Sequence, residues 1–156
     1  RSGSMAGQPM TWARSVAFSV IKSAFSEGRR IVLTMFSSGS DIGTWVVEDK
    51  KSLAAAINQL ADLPRGGTDF NKALSMTGEF VKKIDNEDND VLVITDTSLP
   101  PFERQEWMNG KLFCAAIGSK VPDTFDDGVE ILCDYQEGIG ETDSKQSKKT
   151  IEKFFN

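Results

Sequence analysis

The chain has 156 residues, enough for one domain with a single core and too few for two full-sized ones. Its 18 Lys and Arg against 23 Asp and Glu give a net charge of −5, which speaks against a surface that coats nucleic acid, because phosphate binding needs clustered positive charge. There is no histidine, so Ser-His-Asp and Cys-His catalysis and any His-ligated zinc or iron site are excluded within this chain.

The first apolar stripe at helical spacing runs over residues 10–27, through Trp12, Ala13, Val16, Ala17, Val20, Ile21, Ala24 and Phe25. Pro9 suits a first helical turn and Gly28 follows as a stop. Residues 31–36 form a short continuous apolar run, as in a strand covered on both faces. Residues 37–41 read as a turn, and Thr44 to Val47 as a less buried strand, a hairpin partner at the sheet edge.

A second helix is expected over 50–62, with Leu53, Ala56, Ile57 and Leu60 on one face. Pro64 and the Gly66-Gly67 pair end it, because neither can extend a helix. A third helix takes residues 70–84, with Phe70, Ala73, Leu74, Thr77, Val81 and Ile84 in register. The acidic turn from Asp85 to Asp90 leads into Val91-Leu92-Val93-Ile94-Thr95, the strongest buried-strand pattern in the chain. Pro100 and Pro101 are expected to open a short helix carrying Phe102, Gln105, Glu106 and Trp107. Two more strands are expected, over 111–118 and 129–133, followed by a polar, lysine-rich C-terminal helix over 142–155.

Strand and helix alternating in this way predict an α/β fold. Its sheet is doubly wound and mostly parallel, with helices on both faces and one antiparallel edge strand. In such folds ligands bind beyond the carboxyl ends of the strands. Cys114 and Cys133 are too few for a four-thiolate metal site, and their apolar surroundings favour two buried reduced thiols over a disulfide. No apolar run approaches the ~20 residues of a membrane span, so neither a membrane nor a nucleic acid is expected as partner.

Three segments at the predicted rim share one chemistry. Ser2-Gly3-Ser4 precedes the first helix, Gly66-Gly67-Thr68-Asp69 precedes the third, and Asp96 ends the strongest strand. They offer hydroxyls and a carboxylate, hard oxygen donors that suit Mg²⁺, Mn²⁺ or Ca²⁺ and not zinc or copper. Two serines separated by one residue in an extended loop can aim both hydroxyls at one point, and the glycine pair lets backbone approach closely. Other readings stand beside this one. Residues 1–5 look like a Gly-Ser linker, Thr68 or Asp69 serves as a helix N-cap, and Asp96 simply ends a strand. Gly138-Ile139-Gly140 lacks the third glycine of a nucleotide loop and reads as a turn.

The segments resemble the metal-ion-dependent adhesion site (MIDAS) of von Willebrand factor A (VWA) domains, an Asp-x-Ser-x-Ser motif followed by a Thr and an Asp. Ser2 and Ser4 match its serines, Thr68 its threonine and Asp96 its last aspartate. Phe36-Ser37-Ser38, Gly66 to Asp69 and Ile94-Thr95-Asp96 also fit the family, in order, so the resemblance covers nearly the whole chain as a single VWA-like domain over 1–156. Within the family the chain is most similar to intracellular bacterial and archaeal members of the ViaA-like and CoxE-like kind, which often work beside MoxR-type AAA+ ATPases. That resemblance implies a cytoplasmic, non-enzymatic protein-binding module whose divalent cation takes an Asp or Glu from a partner. A metal-assisted hydrolase on the same rim and a scaffolding domain with a defective site are the alternatives. The hydrolase lacks a histidine and a second carboxylate cluster near Asp96.

The family's first aspartate, and the apolar strand that carries it, would come immediately before Arg1. The chain therefore reads as N-terminally truncated. A strand ending in Asp is expected between 31–36 and 91–95, leading into Arg1. The alternative is direct pairing of those two strands in a collapsed sheet.

Overall fold

The computed structural model describes residues 8–36, 42–60, 69–84, 88–96 and 99–131. Helix α1 spans Gln8–Ser26, and its end is fixed by a left-handed residue. Gly28 has φ of 72°, its N–H donates to the Phe25 carbonyl at 3.1 Å, and the Arg29 N–H donates to the Ala24 carbonyl at 2.9 Å. This paired closure satisfies two carbonyls that the last turn leaves open, and glycine reaches the required φ without a Cβ clash.

Strand β1 (Ile31–Met35) pairs antiparallel with β2 (Gly43–Val47), with Ile31 opposite Val47 and Leu33 opposite Trp45. Helix α2 (Lys50–Leu60) begins at Asp49, whose Oδ1 accepts the Ser52 N–H at 2.7 Å. Helix α3 (Phe70–Ile84) begins at Asp69, whose Oδ1 accepts the Lys72 N–H at 3.2 Å. In both cases a short acidic side chain satisfies a backbone donor that the first turn cannot.

Strands β3 (Val91–Thr95), β4 (Leu112–Ile117) and β5 (Asp127–Ile131) form a parallel sheet in that spatial order. Central strand β4 is buried throughout, and its alternation divides the core. Leu112, Cys114 and Ala116 pack with Phe70, Leu74 and Val81 of α3, while Phe113, Ala115 and Ile117 pack with Met10, Trp12 and Val16 of α1. Helices on both faces of a parallel sheet explain why β4 is an unbroken apolar run. The fold is the α/β architecture with helices on both faces of a parallel sheet that the sequence pattern predicts, with β2 as the antiparallel strand.

Residues 101–105 form no helix, in contrast to the expectation for the segment after Pro100 and Pro101, and only a turn occurs at Glu106 and Trp107. The residue before a proline is pushed out of helical φ/ψ, and neither proline donates an N–H. Side chains hold this irregular stretch instead. The Phe102 ring lies 5.0 Å from Phe70 and 5.7 Å from Phe125, and Arg104 Nε donates to the Met108 carbonyl at 2.8 Å. The last strand starts at Asp127, earlier than expected, because Asp126 is locked to Leu112. The Asp126 N–H donates to the Leu112 carbonyl at 2.9 Å, and its Oδ2 accepts the Leu112 N–H at 2.7 Å.

Direct pairing of β1 with β3 does not occur: they belong to two separate sheets. A cavity of about 810 Å³ lies between them. The two strands nevertheless run in the same sense. The Arg29 guanidinium stands 3.6 Å from Asp90, joining the segments that lead into β1 and β3. Arg30 Nη1 donates to the Ile84 carbonyl at 2.7 Å, which sets the end of α3 beside the start of β1, and the Phe70 ring at the start of α3 lies 5.4 Å from Phe36, just beyond the end of β1.

Candidate metal-binding rim

The carboxyl ends of the parallel strands define the rim on which the sequence places its oxygen donors. Asp96 is the first residue after β3 and is half-buried. The apolar run Val91 to Thr95 ends there because a carboxylate cannot continue into the core unpaired. Ser119 follows β4 and its hydroxyl donates to the Asp96 carbonyl at 3.0 Å. Between them Gly118, with φ of 68°, turns the chain away from the sheet while its N–H donates to the Ile131 carbonyl at 2.7 Å. The backbone of Asp96 is thus tied to the neighbouring strand's exit.

Asp69 lies at the same end of the molecule. Helix α3 runs antiparallel to β1, so its N-terminus sits at the carboxyl end of that strand, as the Phe36–Phe70 contact shows. Asp69 is the N-cap there, as expected for one of the two capping candidates. Of the four residues proposed as ligands, Asp96 is described and takes the predicted place at a strand end. Ser2, Ser4 and Thr68 lie outside the described residues, as do Ser37 to Asp41, Cys133 and the tail over 142–155. Among the described residues no three His, Cys, Asp or Glu side chains gather as a metal site. Asp96 brings hard oxygen chemistry that fits Mg²⁺, Mn²⁺ or Ca²⁺, and the remaining ligands of the expected site are hydroxyls.

Three carboxylates away from Asp96 have structural roles. Asp126 accepts the Leu112 N–H and is paired with Arg104 at 3.0 Å; that backbone hydrogen bond first, and the guanidinium after it, hold its carboxyl below the usual range against the opposing effect of burial. The Asp49 carboxyl is lowered by the Ser52 N–H and hydroxyl that it accepts. Asp90, expected in a solvated turn, also accepts the Lys111 N–H at 2.8 Å. The role of Ser119 as a tether for Asp96 was not apparent from motif spacing; the signal that pointed toward it was its position just after a strand, on the rim where ligands bind.

A family model for the von Willebrand factor type A domain matches residues 1–98. The chain belongs to this family. The matched stretch contains all four candidate ligands, Ser2, Ser4, Thr68 and Asp96. No curated protein matches the chain. Membership in the VWA family points in general to a protein-interaction or metal-dependent module. No helix among the described residues is long and apolar enough to cross a membrane.

Proposed function

We propose that this VWA domain is a metal-ion-dependent protein-binding module and not an enzyme. Ser2, Ser4, Thr68 and Asp96 would hold one Mg²⁺ ion, with Mn²⁺ or Ca²⁺ as substitutes. The observation that carries the reading is the position of Asp96: a half-buried carboxylate at the carboxyl end of β3, its backbone held by Ser119, inside the stretch that matches the family. With one carboxylate and several neutral hydroxyls around it, a bound cation keeps enough positive character to attract an Asp or Glu from a partner protein, and a charge-assisted contact of that kind gives specificity. The form of the motifs, Ser2-Gly3-Ser4-Met5 and Gly66-Gly67-Thr68-Asp69, supports a ViaA-like or CoxE-like cytoplasmic protein, with a MoxR-type AAA+ ATPase as the partner.

Isothermal titration of the chain with Mg²⁺ and Mn²⁺ tests the site. One divalent site that disappears in Asp96→Ala is expected. An isotherm unchanged by that substitution places the metal elsewhere, and no heat with either ion in the parent chain leaves a scaffolding role.

A further inference from the structure

Of the asparagines in the chain, only Asn109 is followed by glycine. That dipeptide has a chemistry of its own, because the glycine backbone nitrogen can attack the neighbouring side-chain amide, and no Cβ stands in the way of ring closure. The fold uses both residues. Asn109 is exposed and its Oδ1 accepts the Asn89 N–H at 2.8 Å, while the Gly110 N–H donates to the Asn89 carbonyl at 3.1 Å. The Asn109 side chain thus stands in for a strand carbonyl, and the two residues clasp Asn89 on its N–H and its C=O together.

The packing requires glycine at this position. A Cβ at Gly110 would stand 2.6 Å from Asp90 Oδ1 and 2.7 Å from the Asn89 carbonyl oxygen, closer than a side chain can approach backbone. The next residue continues the seam. The Lys111 N–H donates to Asp90 Oδ1 at 2.8 Å, the Val91 N–H donates to the Lys111 carbonyl at 2.8 Å, and the Arg104 guanidinium holds the Gly110 carbonyl. The clasp therefore sets the entries of β3 and β4 side by side. The same packing that demands glycine after Asn109 builds a labile dipeptide into the seam.

We propose that Asn109 is a site of spontaneous deamidation, gated by release of its clasp on Asn89. The Gly110 nitrogen gives its proton to solvent and forms a bond to Asn109 Cγ; the Cγ–Nδ2 bond breaks and ammonia leaves. Water then opens the cyclic imide at either carbonyl. One opening gives aspartate, and the other gives isoaspartate, with the backbone rerouted through Cβ and Cγ. Water is the sole co-reactant and nothing is oxidised or reduced. In the folded chain both reacting groups are bound to Asn89, so the clasp must open before the ring can close. The change is one-way. The imide nitrogen has no proton for the Asn89 carbonyl, the isoaspartyl backbone is longer by a methylene, and either product adds a carboxylate next to the segment that carries Asp88 and Asp90. The seam lies at the amino ends of β3 and β4, about 16 Å of strand away from Asp96, so the rim is outside its reach.

The test incubates the 156-residue chain at one mildly alkaline pH, folded or unfolded in guanidinium chloride. Peptide mass spectrometry reads conversion of amide to acid at residue 109, and enzymatic isoaspartyl methylation reads the rearranged product. Conversion is expected in the folded chain, slower than in the unfolded chain by roughly tenfold or more, since two hydrogen bonds must open together. Asp90→Ala removes the acceptor of the Lys111 N–H and is expected to bring the folded rate toward the unfolded one. If that variant does not fold, Arg29→Gln takes its place, because it removes only exposed ion pairs, with Asp90 and Glu27. Equal rates in the folded and unfolded parent overturn the proposal, as does a folded rate that the variant leaves unchanged. A folded parent and variant that both stay intact while the unfolded chain converts overturn it as well.

Discussion

The Ser119 hydroxyl donates to the Asp96 carbonyl across a 3.0 Å hydrogen bond, so the exits of β4 and β3 are fastened to each other at the rim where ligands of parallel sheets bind. The backbone of Asp96, the proposed metal ligand, is thereby tied to the exit of the neighbouring strand. The bond also separates two roles that substitution can distinguish, the proposed ligation by Asp96 and the positioning of its backbone by Ser119.

Asp96→Ala is expected to abolish divalent binding, whereas Ser119→Ala is expected only to weaken it. A hydrogen bond of this type contributes about 0.5–1.5 kcal/mol. Loss of that much alignment lowers metal affinity by up to about tenfold. Titration calorimetry on both variants measures the difference, and equal effects from the two would remove the distinction between ligand and tether.

Chelation is expected to remove partner binding and to leave the fold in place. The rim lies at the ends of the strands, and the core clusters around Phe113 and Phe70 do not depend on Asp96. Adding EDTA, or substituting Thr68→Ala, should therefore abolish capture of an acidic partner in a pull-down while thermal unfolding stays within the range of an ordinary surface change, about 0.5 kcal/mol. Binding that survives chelation would move the interaction to an apolar face such as that near Trp45.

Much of this fold is legible where a single local rule decides it. The limits of α3 and β3 agree with the expected 70–84 and 91–95 because an apolar period and an unbroken apolar run each end at a charged residue or a cap. Gly28 ends α1 because the left-handed closure needs a glycine. Legibility fails where distant parts of the chain compete. Phe102 looks helical beside Pro100 and Pro101 until the rings of Phe70 and Phe125 hold it in an irregular segment. At the site, Asp96 is readable because it terminates a strand, but its tether is not, since Ser119 is 23 residues away and carries no motif.

Cys114 is expected to resist thiol reagents in the folded state. It is fully buried in β4, and burial pushes its thiol from 9.0 up to about 12. The folded value is the higher one. The neutral thiol's contribution to stability is thus fully present below the unfolded value of 9.0 and is lost as pH rises toward about 12. In a Cys133→Ala background, a thiol reagent at pH near 8 should label the native chain only after denaturant is added. Fast native labelling would place Cys114 at the surface.

Asp126 gives the opposite pH signature. Its carboxyl is lowered by the Leu112 N–H and then by Arg104, so its stabilising contribution is present above the unfolded value of about 3.9 and fades as pH falls through the lower folded value. Asp126→Asn should therefore be less stable than the parent near neutrality, with the gap closing in acid. Urea unfolding at several pH values between about 7 and 2 measures this, and a gap that is constant with pH would mean that the charge plays no part.

Gly78 lies in the middle of α3, where glycine is normally unfavourable by about 1 kcal/mol relative to alanine. Propensity alone predicts that Gly78→Ala stabilises the helix. Packing predicts the reverse. A Cβ at this position would stand 2.5 Å from Nε1 and 2.8 Å from Cδ1 of Trp107. That ring is buried and is held by its N–H donating to Gln105 Oε1 at 2.5 Å, so it cannot yield without loosening the segment after Pro101. Overpacking of this kind costs about 1–3 kcal/mol, which outweighs the propensity gain at most of its range. Gly78→Ala is therefore expected to lower stability in urea unfolding, with a change in Trp fluorescence as Trp107 moves. The double variant Gly78→Ala with Trp107→Phe should recover part of the loss, because the smaller ring vacates the space the methyl group needs. A stabilised single variant would show that the indole yields at little cost and that glycine is there for another reason.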